Sequence, residues 1–148
     1  MGVKIVLDTN VLISGLIVEN GPSGKILDAI QKGDLALITS GPLLQEFAEV
    51  VSRPHIIRKY PKVTEHAEAI LDYLRTHATL FKINSVERVV DDDPDDDLVI
   101  ASAIAGEAEY IVSGDEHLLA LAQHGAIRII APAEFVAIVF QVGRNTNE

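Results

Sequence analysis

The chain contains no cysteine. That excludes a disulfide framework and any thiolate metal ligand, and cytoplasmic residence is the default expectation. Positive charge is scarce: 12 Lys and Arg stand against 22 Asp and Glu, for a net charge of −10. Broad, non-specific nucleic-acid binding normally needs a basic face, so charge alone argues against a nucleic-acid partner. The count misleads if several acids exist to hold cations, because each divalent ion cancels two charges where they are densest. No apolar run approaches the length of a membrane span, and no membrane partner is expected. The N-terminus enters a strand at once, which argues against a signal peptide. No internal repeat or linker interrupts the chain. What is present is apolar: hydrophobic residues make up 48% of 148 residues, enough for one domain with a sizeable core.

The pattern alternates strand and helix. Buried strands are expected over Val3 to Leu7, Leu35 to Ile38, Leu80 to Ile83, Tyr110 to Val112 and Ile127 to Ile130. Helices are expected over Val11 to Ile17, from Pro22 to a stop at Gly33, over 44–52, from about Thr64 to His77, over 97–105, over 115–123 and from Pro132 to Phe140. This order predicts a three-layer α/β/α sandwich around a central, mainly parallel sheet of about five strands. A single domain is expected over 1–140, with a polar, frayed tail over 141–148. In such folds ligands gather at the carboxyl ends of the strands.

The densest feature is Asp91-Asp92-Asp93-Pro94-Asp95-Asp96-Asp97, six carboxylates in seven residues. Such crowding is tolerated in a solvated loop or where a cation offsets it. Leu98 to Ala105 follows as a short buried helix, so Asp96 and Asp97 stand at a helix start, where the dipole favours anions. An EF-hand reading fails, because from Asp91 the sixth residue is Asp96 rather than Gly and the twelfth is Ser102 rather than Glu. Two lone acids lie at equivalent edges. Asp8 ends the first apolar strand, and Asp115 follows Tyr110-Ile111-Val112-Ser113-Gly114. Taken singly, Asp8 and Asp115 are ordinary helix N-caps. Asp8 also opens haloacid-type phosphatases, but those need a second Asp where this chain has Asn10. Glu46 lies off the apolar stripe of its helix, with Glu49 as a rival one turn on. Together these acids would meet at one sheet edge, which caps alone do not explain.

At these residues the chain resembles the PIN-domain family of metal-dependent ribonucleases. Val6-Leu7-Asp8-Thr9-Asn10-Val11-Leu12 is similar to the family's opening strand and first acid. Leu43-Leu44-Gln45-Glu46-Phe47 resembles its helix-borne glutamate. Asp93-Pro94-Asp95-Asp96-Asp97 with Ala101 and Ala103 is similar to its central acid and helix. Ala108 to Asp115 with Leu118-Leu119 resembles its last strand and fourth acid, with Ser113 where Thr is usual. The third acid is ambiguous: aligning Ala108 favours Asp96, aligning the Ser113 hydroxyl favours Asp97, and Asp96 is taken.

The resemblance implies one or two Mg²⁺ or Mn²⁺ ions held by Asp8, Asp96, Asp115 and Glu46, with Asp93 or Asp97 as further ligands. Carboxylates suit such hard ions. Thr9, Asn10 and Ser113 would orient carboxylates or water. The implied activity is RNA phosphodiester hydrolysis, and the branch resembled most is that of toxins in toxin–antitoxin pairs. A cognate antitoxin and a homodimer are implied partners, the dimer through helix 64–77 or Phe135, Val136, Val139 and Phe140, for which ordinary core packing is the other reading. A non-catalytic RNA- or protein-binding domain and a structure-specific DNA nuclease are the alternatives. Arg53, His55, Arg58, Lys59, Tyr60 and Lys62 form the one basic cluster. It reads as a solvated surface or as an RNA-binding patch centred on Arg53, Arg58 and Lys59. The five histidines are scattered and read as surface residues.

Overall fold

A computed structural model describes residues 2–18, 20–83 and 94–146 of the chain. Strand β1 (Val3–Leu7) pairs in parallel with β2 (Leu35–Ser40) on one side and β4 (Tyr110–Val112) on the other. Beyond them lie β3 (Thr79–Phe81), parallel to β2, and β6 (Ile127–Ile130), parallel to β4. A two-residue strand, β5 (Gln123–His124), runs antiparallel on the β6 edge. The sheet order is β3-β2-β1-β4-β6-β5. Among the described residues it has six strands rather than about five, because β5 is too short to carry a periodicity of its own.

Consecutive strand residues enter opposite cores, as the two-residue period of a strand dictates. Ile5, Leu7, Leu35, Leu37, Val112 and Ile130 belong to one core. Val6, Ile38, Ile111, Ile127 and Ile129 belong to the other. Ile5-Val6-Leu7 of β1 and Ile111-Val112 of β4 are buried on both faces and read as unbroken apolar runs, which made these strands legible. The first core is covered by α1 (Thr9–Ile17), α2 (Pro22–Lys32), α3 (Gly41–Val51), α6 (Ala67–His77) and α9 (Pro132–Thr146). The second is covered by α7 (Pro94–Ala105) and α8 (Glu116–Leu121). The architecture is the expected α/β/α sandwich.

The helix expected over 64–77 is two. Helix α5 (Pro61–Glu65) ends at His66, and α6 begins at Ala67. Before them stands α4 (Pro54–Lys59), which buries no residue and so offers no apolar stripe to read. The last helix continues to Thr146, past the start of the expected tail. Phe135 is fully buried and meets the Tyr110 ring edge-on at 5.3 Å. It is therefore core, which removes it from the expected dimer surface. Val136, Val139 and Phe140 are half-buried.

Two glycines are required by geometry. Gly33 takes φ of 85° to close α2, a conformation that an L side chain adopts only under strain. A Cβ on Gly106 would run into Ile38 and Phe81. The end of α7 can therefore lie directly on the β2–β3 edge.

Candidate metal centre

Between β1 and β4 the strand order changes direction: the chain moves from β1 to β2 on one side, and later returns to the other. This is the switch point of an open α/β sheet, where a crevice opens beyond the carboxyl ends of the strands. The sheet pairing continues one residue past both strands there. The Asp8 N–H donates to the Val112 carbonyl at 3.1 Å, and the Ser113 N–H to the Ile130 carbonyl at 3.0 Å. The backbone of both residues is thus fixed by the sheet rather than by a loop.

Asp8 stands at the N-cap position of α1, yet its carboxylate makes no capping bond. Instead the fully buried Ser113 hydroxyl donates to Asp8 Oδ2 at 2.8 Å. The same Ser113 Oγ accepts the Asp115 N–H at 2.9 Å. One hydroxyl therefore links the first acid to the fourth. The N-cap reading fails for Asp8, which is buried and turned along the sheet edge. It holds for Asp115, whose Oδ1 accepts the N–H groups of His117 and Leu118 at 2.8 and 3.1 Å. That capping involves Oδ1 alone.

Asp96 is brought from α7 to the same place. Donor atoms of Asp96, Asp115 and His117 all lie within 4.8 Å of one another. Asp96 is buried, Asp115 half-buried and His117 exposed. Asp97, one residue on, is also buried. Asp93 lies outside the described residues. Glu46 lies on α3, which packs against α7; its Oε2 is buried, as is Asp96 Oδ2. Glu49 is exposed. Thr9 is buried behind Asp8, whereas Asn10 faces solvent.

A second hydroxyl pair holds the two acid-bearing helices at a fixed spacing. Ser40 caps α3 by accepting the Leu43 N–H at 3.3 Å, and its Oγ lies 2.9 Å from Ser102 Oγ on α7. Ser102 also donates to the Leu98 carbonyl. Both serines are fully buried. Their hydrogen bonds contribute about 1 kcal/mol each, and leaving one partner unsatisfied costs more.

His117 is a surface residue, as expected of the scattered histidines, yet the fold brings it beside Asp96 and Asp115. It is exposed, and its proximity to Asp96 arises only from the tertiary fold. The one local signal was Asp-x-His spacing at a helix start, where the Asp115 cap fixes the backbone of His117.

The donor set fits a divalent ion. An ion holding oxygen ligands at about 2.1 Å keeps its donors within about 4.2 Å of one another. Donors already within 4.8 Å need only a rotamer-scale closure. A cleft of about 730 Å³ lies elsewhere, among Leu12, Leu27, Ile70 and Tyr73, and none of these acids lines it.

The basic cluster follows α3 directly. Arg53 is the N-cap of α4, and Arg58 and Lys59 form its last turn, all exposed. Arg53 lies seven residues beyond Glu46, two past the end of α3. Lys59 Nζ stands 5.4 Å from the Tyr60 ring centre, so a cation already faces that ring.

Residues 4–117 match the PIN domain family. An uncharacterized protein of the archaeon Methanocaldococcus jannaschii is 31% identical over 142 residues, covering 90% of each chain. No helix among the described residues is long and apolar enough to cross a membrane.

Proposed function

This chain belongs to the PIN domain family, and on that premise we propose that it is a metal-dependent endoribonuclease acting as the toxin of a toxin–antitoxin pair. The observation that carries the nuclease reading is the meeting of Asp96, Asp115 and His117 beside the Ser113-linked Asp8. Carboxylates gathered where a sheet opens have few uses other than holding cations. The toxin reading rests on the chain's resemblance to the toxin branch of that family.

In this proposal Asp8, Asp96 and Asp115 hold Mg²⁺ or Mn²⁺, with Glu46 acting directly or through water. Such an ion lowers the pKa of a bound water and offsets charge on the phosphate. The chain's own residues do the rest. Ser113 keeps Asp8 and Asp115 in one orientation, and the Ser40–Ser102 pair sets the distance between the Glu46 helix and the Asp96 helix. Hydrolysis leaves a 5′-phosphate and a 3′-hydroxyl. The test is incubation of the purified chain with matched single-stranded RNA and DNA, with Mn²⁺ or chelator, followed by end analysis. Metal-dependent RNA cuts carrying those ends support the reading. Cleavage of branched DNA alone would replace it with a DNA nuclease, and binding without cleavage with a non-catalytic domain. Growth arrest on expression, relieved by the product of an adjacent small reading frame, tests the toxin role. The homodimer belongs to the same proposal, through the outer face of α6 and the half-buried Val136, Val139 and Phe140.

An acidic centre repels RNA, so a cationic surface must offset it. We assign that role to Arg53, Arg58 and Lys59. Changing all three to Ala is expected to weaken RNA binding without altering metal binding. Each lost phosphate contact should lower the salt slope by about 0.7, so the change should reach about 2. An unchanged slope in a fluorescence-anisotropy salt titration would make the segment a plain solvated surface.

A further inference from the structure

We infer that His117 determines which ion the centre prefers: its imidazole nitrogen joins Asp96 and Asp115 as a ligand and favours later first-row ions such as Co²⁺ over Mg²⁺. The inference rests on the metal-site reading above and deepens it.

Three observations carry it. Donor atoms of Asp96, Asp115 and His117 share one 4.8 Å neighbourhood, so the ring already stands where a ligand would. Its placement is built in, because Asp115 Oδ1 accepts the His117 backbone N–H at 2.8 Å and fixes the Cα beside the carboxylate. The ring itself is not spent on that carboxylate: His117 Nδ1 is 3.9 Å from Asp115 Oδ1, beyond hydrogen-bond distance. The side chain is 54% exposed and so has room for the small rotation that coordination needs.

The chemistry of the donor set then sets the preference. An all-carboxylate site suits Mg²⁺, whereas imidazole suits later first-row ions. Replacing one oxygen by nitrogen leaves Mg²⁺ with little gain. Affinity for divalent first-row ions rises from Mn²⁺ to Co²⁺ at a given mixed site. The alternative is that His117 is a surface residue whose weak pairing with Asp115 contributes nothing measurable, as is common for exposed pairs.

The test is calorimetric titration of the full chain, stripped of metal, with Co²⁺, Mn²⁺ and Mg²⁺ separately. Wild type is compared with His117→Ala and His117→Asp. Loss of a direct ligand should cost at least the roughly tenfold seen when only an outer-shell partner is lost. His117→Ala is therefore expected to weaken Co²⁺ about tenfold or more while changing Mg²⁺ by less than about threefold, with Mn²⁺ between them. His117→Asp should restore binding with the preference moved toward Mg²⁺. Pulsed electron paramagnetic resonance of the Mn²⁺ complex should show coupling to an imidazole nitrogen, absent in both variants. Equal losses for all three ions, or no nitrogen coupling in wild type, overturn the inference and leave the metal site standing. Failure of wild type to bind any of the three ions overturns both.

Discussion

Asp96→Asn is expected to reduce RNA cleavage by about 10²–10³-fold or more in kcat, the scale associated with losing one preorganised electrostatic group. The substitution keeps the shape of the side chain and deletes one charge from a set whose donors already lie within 4.8 Å of one another. Asp97→Asn is the comparison that settles the alignment ambiguity. Asp97 is equally buried but sits one residue, about 100° of helix, away. If Asp96 is the third acid, the Asp97 variant should retain most of the activity. Ser113→Ala should fall between the two, at about 10–100-fold, because the hydroxyl acts through Asp8 and Asp115 rather than on substrate. Single-turnover cleavage of a fluorescent single-stranded RNA reads all three. Wild-type rates in Asp96→Asn would remove this residue from the centre, and a larger loss in Asp97→Asn would transfer the role to its neighbour.

Asp8 and Asp115 were legible because each follows a strand whose own pattern is unmistakable. Ile5 to Leu7 and Ile111 to Val112 are buried on both faces, so their apolar runs end sharply, and the first polar side chain beyond each run falls at the strand's carboxyl end. Asp8 and Ser113 are those residues, and the parallel order of the sheet makes them neighbours. The acidic run was legible as a candidate centre but not in register. Asp96 and Asp97 are both buried, and one-residue register depends on how α7 seats against the sheet, which local sequence does not encode.

Other features were hidden for identifiable reasons. Helix α4 has no buried residue, so no stripe announces it. The break at His66 between α5 and α6 carries neither glycine nor proline, and the two segments read as one. Strand β5 is defined only by its pairing with β6. His117 joins the centre through a contact between α7 and the start of α8, two elements with β4 between them in sequence.

Metal should change the stability of this chain as much as its activity. Carboxylates that crowd without a cation repel one another. An ion that binds the folded chain alone stabilises it by about 2.7 kcal/mol at a hundred times its Kd. For a chain of this size that corresponds to a rise of about 5–10 °C in Tm, at about 2–4 °C per kcal/mol. Wild type in chelator should therefore melt well below wild type in Mn²⁺, as read by calorimetry. Asp96→Asn should reverse the order of the metal-free forms, melting above wild type in chelator because one like charge is gone, and it should lose most of its response to Mn²⁺. Asp115 separates charge from capping within the same experiment. Asn at 115 still presents an oxygen to the His117 and Leu118 N–H groups, so Asp115→Asn should keep the cap and melt no lower than wild type in chelator. Asp115→Ala loses the cap, a cost of about 1 kcal/mol, and should melt lower. If Asp96→Asn and Asp115→Asn both melt well below wild type without metal, these acids serve the fold as structural anchors, and charge crowding is not what shapes this edge of the sheet.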